Sequence, residues 1–207
     1  MVGRQVKCPD CRFGYISDIP DNVSSHKKYH DRIVNGLLAQ RVKSDKVIWE
    51  QESFWITVVN YASPVSQKKR AHKAALVAHH DTPFDSAPYH ANEPLDKRNV
   101  HVFLLHYRNR IVGFLIAEKS SNVWKCTWEQ YENRNPLKLP EHPPIWSVGL
   151  IWVHKPHRRK GLARQLVLEA TSFLGTNIQS VGWHTRFTEL GKAMVRRLNP
   201  NYFYIAK

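Results

Sequence analysis

Nine residues, Ile145 to Val153, form a nearly unbroken apolar run that passes directly into the basic stretch His154 to Lys160 and then into Gly161-Leu162-Ala163. An apolar run of this length bounded by turn residues reads as a strand covered on both faces. Beyond it, Leu162, Leu166 and Ala170 fall on one side of a helix that extends to about Leu174. A strand that needs cover on both faces calls for layers on either side of its sheet. It requires a layered α/β or α+β domain, in which helices flank a mixed sheet.

Other segments supply the rest of those layers. Residues 47–61 are rich in β-branched and aromatic types and suit a hairpin or two short strands. Val100 to Tyr107 and Ile111 to Glu118 form a second hairpin about Arg108-Asn109-Arg110. Between them, Ala71, Ala74, Ala75 and Ala78 mark a helix from Gln67 to His80 that Asp81-Thr82-Pro83 stops, and the proline-bearing segment 82–98 reads as a loop. The C-terminal part repeats the pattern, with a strand at Ile178 to Trp183, a helix at Thr188 to Leu198 capped by Thr188, and a last strand at Tyr202 to Ala206. The connection 120–144, which contains Cys126, carries no periodicity that assigns it.

The junction at Gly161 has the chemistry of an anion site. Small residues open the helix, its first N–H groups have no partner within the helix, and its dipole is positive at that end. Arg158, Arg159, Lys160 and Arg164 add charge around it, so the ligand that fits is a pyrophosphate. No Lys-Ser or Lys-Thr pair follows the glycine, which argues against a nucleotide P-loop.

A second motif lies in residues 1–40, where Cys8-x2-Cys11-x14-His26-x3-His30 offers two thiolates from a tight knuckle and two imidazoles one helical turn apart. That donor set suits tetrahedral zinc. His26, His30, Ile33 and Leu37 share a helix face that Ser24 or Ser25 could cap, and Phe13, Tyr15, Tyr29 and Ile33 can form the small core of a ββα-like finger. No Glu stands beside the ligands in H-E-x-x-H or H-x-E order, so the one expected zinc ion is structural, with 1–40 as the zinc module and 41–207 as the main domain.

Composition narrows the setting. With 207 residues and 42% hydrophobic content the chain can bury one substantial core and carry a small appended module. Three cysteines, two of them at ligand spacing, favour a reducing compartment over a disulfide scaffold. No stretch of eighteen apolar residues and no charged-then-apolar leader is present, so the expectation is a soluble, unsecreted chain with no membrane contact. The formal charge of +14 favours polyanionic neighbours such as nucleic acid or chromatin, or an acidic cofactor, without specifying one.

Arg158-x-x-Gly161-x-Ala163 after an apolar strand resembles the acetyl-CoA signature of the GNAT superfamily of N-acetyltransferases. The finger, Lys68-Lys69 opening a helix, Arg110 to Glu118, Ile151-Trp152-Val153 before Arg158-Arg159-Lys160, and Thr188-x-x-Gly191-Lys192 together resemble the sister-chromatid cohesion acetyltransferases of the Eco/ESCO family. The resemblance covers nearly the whole chain. It implies a GNAT-type domain behind a C2H2 finger, with acetyl-CoA as co-substrate and a nuclear location, or otherwise a cytoplasmic one. It further implies transfer to a protein lysine, in the cohesin core. By the same resemblance, Leu150, Ile151, Trp152 and Val153 line the pantetheine arm, and Arg158, Arg159, Lys160, Gly161, Leu162, Ala163 and Arg164 grip the pyrophosphate. The chain departs from the family pattern at Gly149, where members carry serine, and at Arg186-Phe187-Thr188, where they carry Asp-Pro-Thr.

Acetyl transfer requires a neutral amine, and a free lysine has a pKa of about 10.4. Three side chains are candidates to handle that proton: His184, Glu118, and Ser147 as a water-positioner in place of the missing serine. A backbone N–H near Leu150 or Ile151 would hold the oxyanion. A different amine acceptor (another protein, a polyamine or an RNA-linked amine) and a domain that binds CoA or nucleic acid without turnover are the competing readings.

Overall fold

The computed structural model describes residues 3–82, 99–133 and 145–206. The expected loop at 82–98 therefore lies, apart from its first residue, outside the described residues. The chain begins with a two-stranded antiparallel ribbon, β1 (Gln5–Lys7) and β2 (Gly14–Ile16), followed by helix α1 (Pro20–Asn35). The helix begins at Pro20, a residue pre-set for a first helical position, so Ser24 and Ser25 lie inside it and do not cap it. Leu37 leaves the helix as well. After Gly36 the chain forms β3 (Leu37–Leu38), which pairs with the main sheet although it falls within the expected 1–40 module.

The sheet then grows through β4 (Lys46–Gln51), β5 (Phe54–Val59), helix α2 (Val65–His80), β6 (Val100–Tyr107) and β7 (Arg110–Ser120). The stretch that sequence left unassigned holds β8 (Val123–Thr127) and a five-residue helix α3 (Trp128–Glu132), closed by a capping box between Thr127 and Gln130. The remainder is β9 (Ile145–Val153), α4 (Leu162–Phe173), β10 (Gly182–His184), α5 (Glu189–Leu198) and β11 (Tyr202–Ala206). The strand expected at Ile178 to Trp183 divides into a 3-10 turn at Ile178–Ser180 and the short β10.

Among the described residues the main sheet has nine strands in the order β4-β5-β6-β7-β9-β10-β11-β8, with β3 beside β7. Strands β9, β10 and β11 run parallel and the other neighbours antiparallel. Both faces are covered, as the apolar runs require. One core joins Leu115 and Val148 to Leu166, Val167 and Ala170 of α4 and Val195 of α5. The other joins Phe114, Ile116 and Trp152 to the alanines of α2, with Ile33 of α1 packed against it. Ile33 thus packs on this core, at the joint between the finger helix and the sheet.

The finger is fastened to the rest of the fold by three further sets of contacts. Arg110 donates to both carboxylate oxygens of Asp31 at 3.0 Å and to the Gly36 carbonyl at 2.7 Å. His154 Nε2 donates to the Ile33 carbonyl at 2.9 Å, and burial lowers the pKa of that imidazole. His80 at the end of α2 donates to the Cys11 carbonyl at 3.1 Å.

Candidate active site and metal centre

β9 and β10 stay in register for two residues only, Ser147 opposite Gly182 and Val148 opposite Trp183. Past Val148 the two strands part. The opening is a cleft continuous with solvent, walled by Gly149, Leu150 and Ile151 on β9, by Trp183 and His184 on β10, and by Phe187, Thr188 and Met194 at α5. Thr82 also lines it. At its mouth β9 carries a bulge: Ile116 faces Leu150 and Ala117 faces Val148, which leaves Gly149 with no partner on β7. A bulge breaks the ladder and re-aims the strand. The residue that differs from the expected serine is therefore the one at which β9 turns away from β10.

The three proton-handling candidates share one face of the sheet. Glu118 lies opposite Ser147 across β7 and β9, and Gly182, opposite Ser147 on the other side, is two residues before His184. Glu118 Oε1 and His184 Nε2 stand 3.3 Å apart, and both side chains keep solvent access, at 43% and 32% exposure. Ser147 differs from them. It is fully buried, its hydroxyl has no hydrogen-bond partner among the described residues, and a Cβ on Gly182 would run into its Oγ. Its side chain is enclosed between β7, β9 and β10 and is not among the residues that line the cleft.

The basic turn is built on two residues in the left-handed region, Arg159 at φ 64° and Gly161 at φ 77°. Alternation of this kind brings successive N–H groups to one side, next to the open N-terminus of α4. An added Cβ on Gly161 would meet no atom of the described residues within 4 Å. Arg159, Lys160 and Arg164 are exposed around it. Arg158 is turned inward: its Nε donates to the Val153 carbonyl at 2.7 Å and its Nη2 to the carboxylate of Asp81. Trp152, Val153 and Leu162 have buried side chains, so only their backbones can face a ligand.

The finger brings Cys8, Cys11, His26 and His30 together, with one donor atom from each lying within 4.8 Å of all the others. A tetrahedral zinc with bonds of roughly 2.0 to 2.3 Å fits such a set. Two observations support the fit. The buried His26 Nε2 has no hydrogen-bond partner among the described residues, and the Cys8 thiol pKa is lowered to about 6, chiefly by the Cys11 backbone N–H, while burial pushes the Cys11 thiol up. Tyr15 stacks on His26 at 4.1 Å and Phe13 packs on Tyr29 at 4.9 Å, which supplies the module's small aromatic core.

A cleft between diverging parallel strands, with a basic turn opening the helix that follows, suits an acyltransferase whose co-substrate carries a pyrophosphate, as coenzyme A does. The profile of the acetyltransferase (GNAT) family matches residues 69–190, and the chain belongs to that family. Within it the chain is similar to N-acetyltransferases of Eco/ESCO type. It is 26% identical over 187 residues to the N-acetyltransferase ECO1 of Candida glabrata, covering 78% of this chain and 70% of that protein. It is 25% identical over 169 residues to the N-acetyltransferase ESCO2 of Mus musculus, covering 77% of this chain and 27% of the relative. Among solved structures, the xEco2 acetyltransferase domain bound to a K105-CoA conjugate superimposes with a TM-score of 0.64 at 21% identity, covering 80% of this chain and 98% of that one. The co-substrate is accordingly acetyl-CoA, and the Cys and His cluster is compatible with a zinc finger.

Two residues at the site escaped the sequence reading. Asp81 and Thr82 were legible only as the stop of α2, yet one holds the basic turn and the other lines the cleft. Their partners lie about seventy residues further along, and no local pattern announces such contacts. No helix among the described residues is long and apolar enough to cross a membrane.

Proposed function

We propose that this chain transfers the acetyl group of acetyl-CoA to a lysine side chain of a cohesin-core subunit, in the nucleus. The observation that carries the reading is the Glu118–His184 pair, 3.3 Å apart, with His184 on the wall of the cleft between β9 and β10. The Eco-type relatives favour a protein acceptor and a chromosomal setting, and the charge of +14 favours a partner held near nucleic acid.

In this reading Leu150 to Val153 present their backbone to the pantetheine arm. The backbone of Arg158 to Ala163 and the side chains of Arg159, Lys160 and Arg164 hold the pyrophosphate. Glu118 accepts the proton of the acceptor ammonium, directly or through one water, and His184 positions its carboxylate. The neutral amine forms its bond to the thioester carbonyl carbon. A backbone N–H at Leu150 or Ile151, freed where β9 leaves β10, holds the developing oxyanion. The carbon–sulfur bond then breaks, and the proton that the new amide nitrogen gives up balances the one that the leaving CoA thiolate takes up. Cys8, Cys11, His26 and His30 hold a structural zinc that fixes the knuckle against α1.

Acceptor identity is tested by offering cohesin-core protein, histones and a free polyamine at equal lysine or amine concentration, with acetylation read by mass spectrometry. Preferential modification of one or a few lysines of the cohesin core supports the reading. Equal labelling of all acceptors, or labelling of the polyamine alone, would replace it with a broader amine acetyltransferase.

A further inference from the structure

The end of α2 stands between the metal knuckle and the basic turn, and its two last groups reach in opposite directions. His80 donates its Nε2–H to the carbonyl of Cys11 at 3.1 Å, and Tyr29 of the finger sits edge-on to its ring at 5.8 Å. Asp81, the C-cap of α2, takes three groups from the other side. Its Oδ2 accepts from Trp152 Nε1 at 3.0 Å and from Arg158, and its Oδ1 stands 3.4 Å from Lys155 Nζ. A carboxylate at this end of a helix meets the negative pole of the dipole, so the position is adverse unless cations offset it. Both cations come from the turn between β9 and α4.

Arg158 is thereby used up inside the protein, with its Nε on the Val153 carbonyl and its Nη2 on Asp81. The backbone that leaves Arg158 enters the left-handed conformation of Arg159, which a non-glycine residue holds only when its surroundings impose it. We propose that His80-Asp81 is a positioning clamp: Asp81 holds the turn in its anion-binding shape through Arg158, and His80 ties the same helix end to the metal knuckle. Acetyl-CoA affinity then depends on Asp81, and CoA binding and zinc binding are coupled through His80. The proposal rests on the reading that residues 158–164 hold the pyrophosphate. The opposite sign is the physical rival, since freeing Arg158 and Lys155 would add two cations to the phosphate site.

The full chain loaded with zinc distinguishes these. Asp81→Asn keeps the side-chain shape and an acceptor for Trp152 while removing the charge, and zinc content checks its folding. The dissociation constant for CoA and the KM for acetyl-CoA should rise about tenfold in this variant. At saturating acetyl-CoA, kcat should stay within about twofold, a split that general destabilisation does not produce. In competition with a chelator, saturating CoA should tighten zinc binding in the unaltered protein, because coupling is reciprocal, and should not in His80→Ala. Unchanged or tighter CoA binding by Asp81→Asn, or zinc affinity indifferent to CoA in the unaltered protein, overturns the clamp. If CoA binds equally well after Arg159 and Lys160 are both changed to Ala, the reading of the turn itself falls, and the clamp with it.

Discussion

At the buried pair of Thr57 and His106, whose Oγ1 and Nε2 lie 2.9 Å apart, burial and then the nearby Arg70 charge lower the imidazole pKa to about 3. The unfolded chain binds this proton from about 6.5 downward, and the folded chain does not. Above that value both states are neutral and the group contributes no pH dependence. Below it, stability falls by about 1.4 kcal/mol per pH unit until the folded pKa is reached. Urea unfolding should therefore show a loss of about 2 kcal/mol between pH 7 and pH 5 from this group, and His106→Gln should remove that part of the slope. An identical slope in the variant would place the acid sensitivity elsewhere. The same scale shows where sequence reading succeeds and where it fails. The four finger donors are legible because two short spacings bring them together, whereas the burial of Ser147 depends on Gly182 from a distant strand. Arg158 is legible as part of the basic stretch, but nothing local to it reveals that its side chain faces Asp81.

Among the elements, β9 decides the site because it belongs to two arrangements at once. Its first half is closed against β10 and its second half is not, and Gly182 lies at the closed end. Ala at 182 would press on Ser147 Oγ, stand 3.2 Å from Ser147 Cβ and 3.5 Å from Ala206 Cβ. Gly182→Ala should destabilise the fold by about 1 to 3 kcal/mol, and adding Ser147→Gly should recover most of it. Equal urea midpoints for the single and double variants would show that the strands yield without strain. Strands with continuous apolar runs were readable to the residue: Val100–Tyr107, Ile145–Val153 and Tyr202–Ala206 all have the expected bounds. Short elements were not. β8 owes its existence to pairing with β11 across the chain, although the Thr127-x-x-Gln130 capping box was a visible signal for α3. The start of α1 lies at Pro20 and not after the serines, because proline's fixed φ suits a first helical position.

For the whole molecule, the finger and the sheet are joined through β3, Arg110, His154 and His80, so the metal module is part of one packed structure. The fold class followed from sequence because two-faced burial of β6, β7 and β9 leaves few architectures. The joint did not, since each contact pairs residues far apart in the chain. The central claim is that this packed structure transfers acetyl from acetyl-CoA to a lysine through Glu118 and His184. The direct measurement is single-turnover transfer of labelled acetyl to acceptor protein, by the unaltered chain and by Glu118→Gln, with CoA binding measured on both. The account predicts transfer by the unaltered chain and a rate about a hundredfold lower for Glu118→Gln at unchanged CoA affinity. CoA binding without transfer by the unaltered chain, or an undiminished rate in Glu118→Gln, would contradict it.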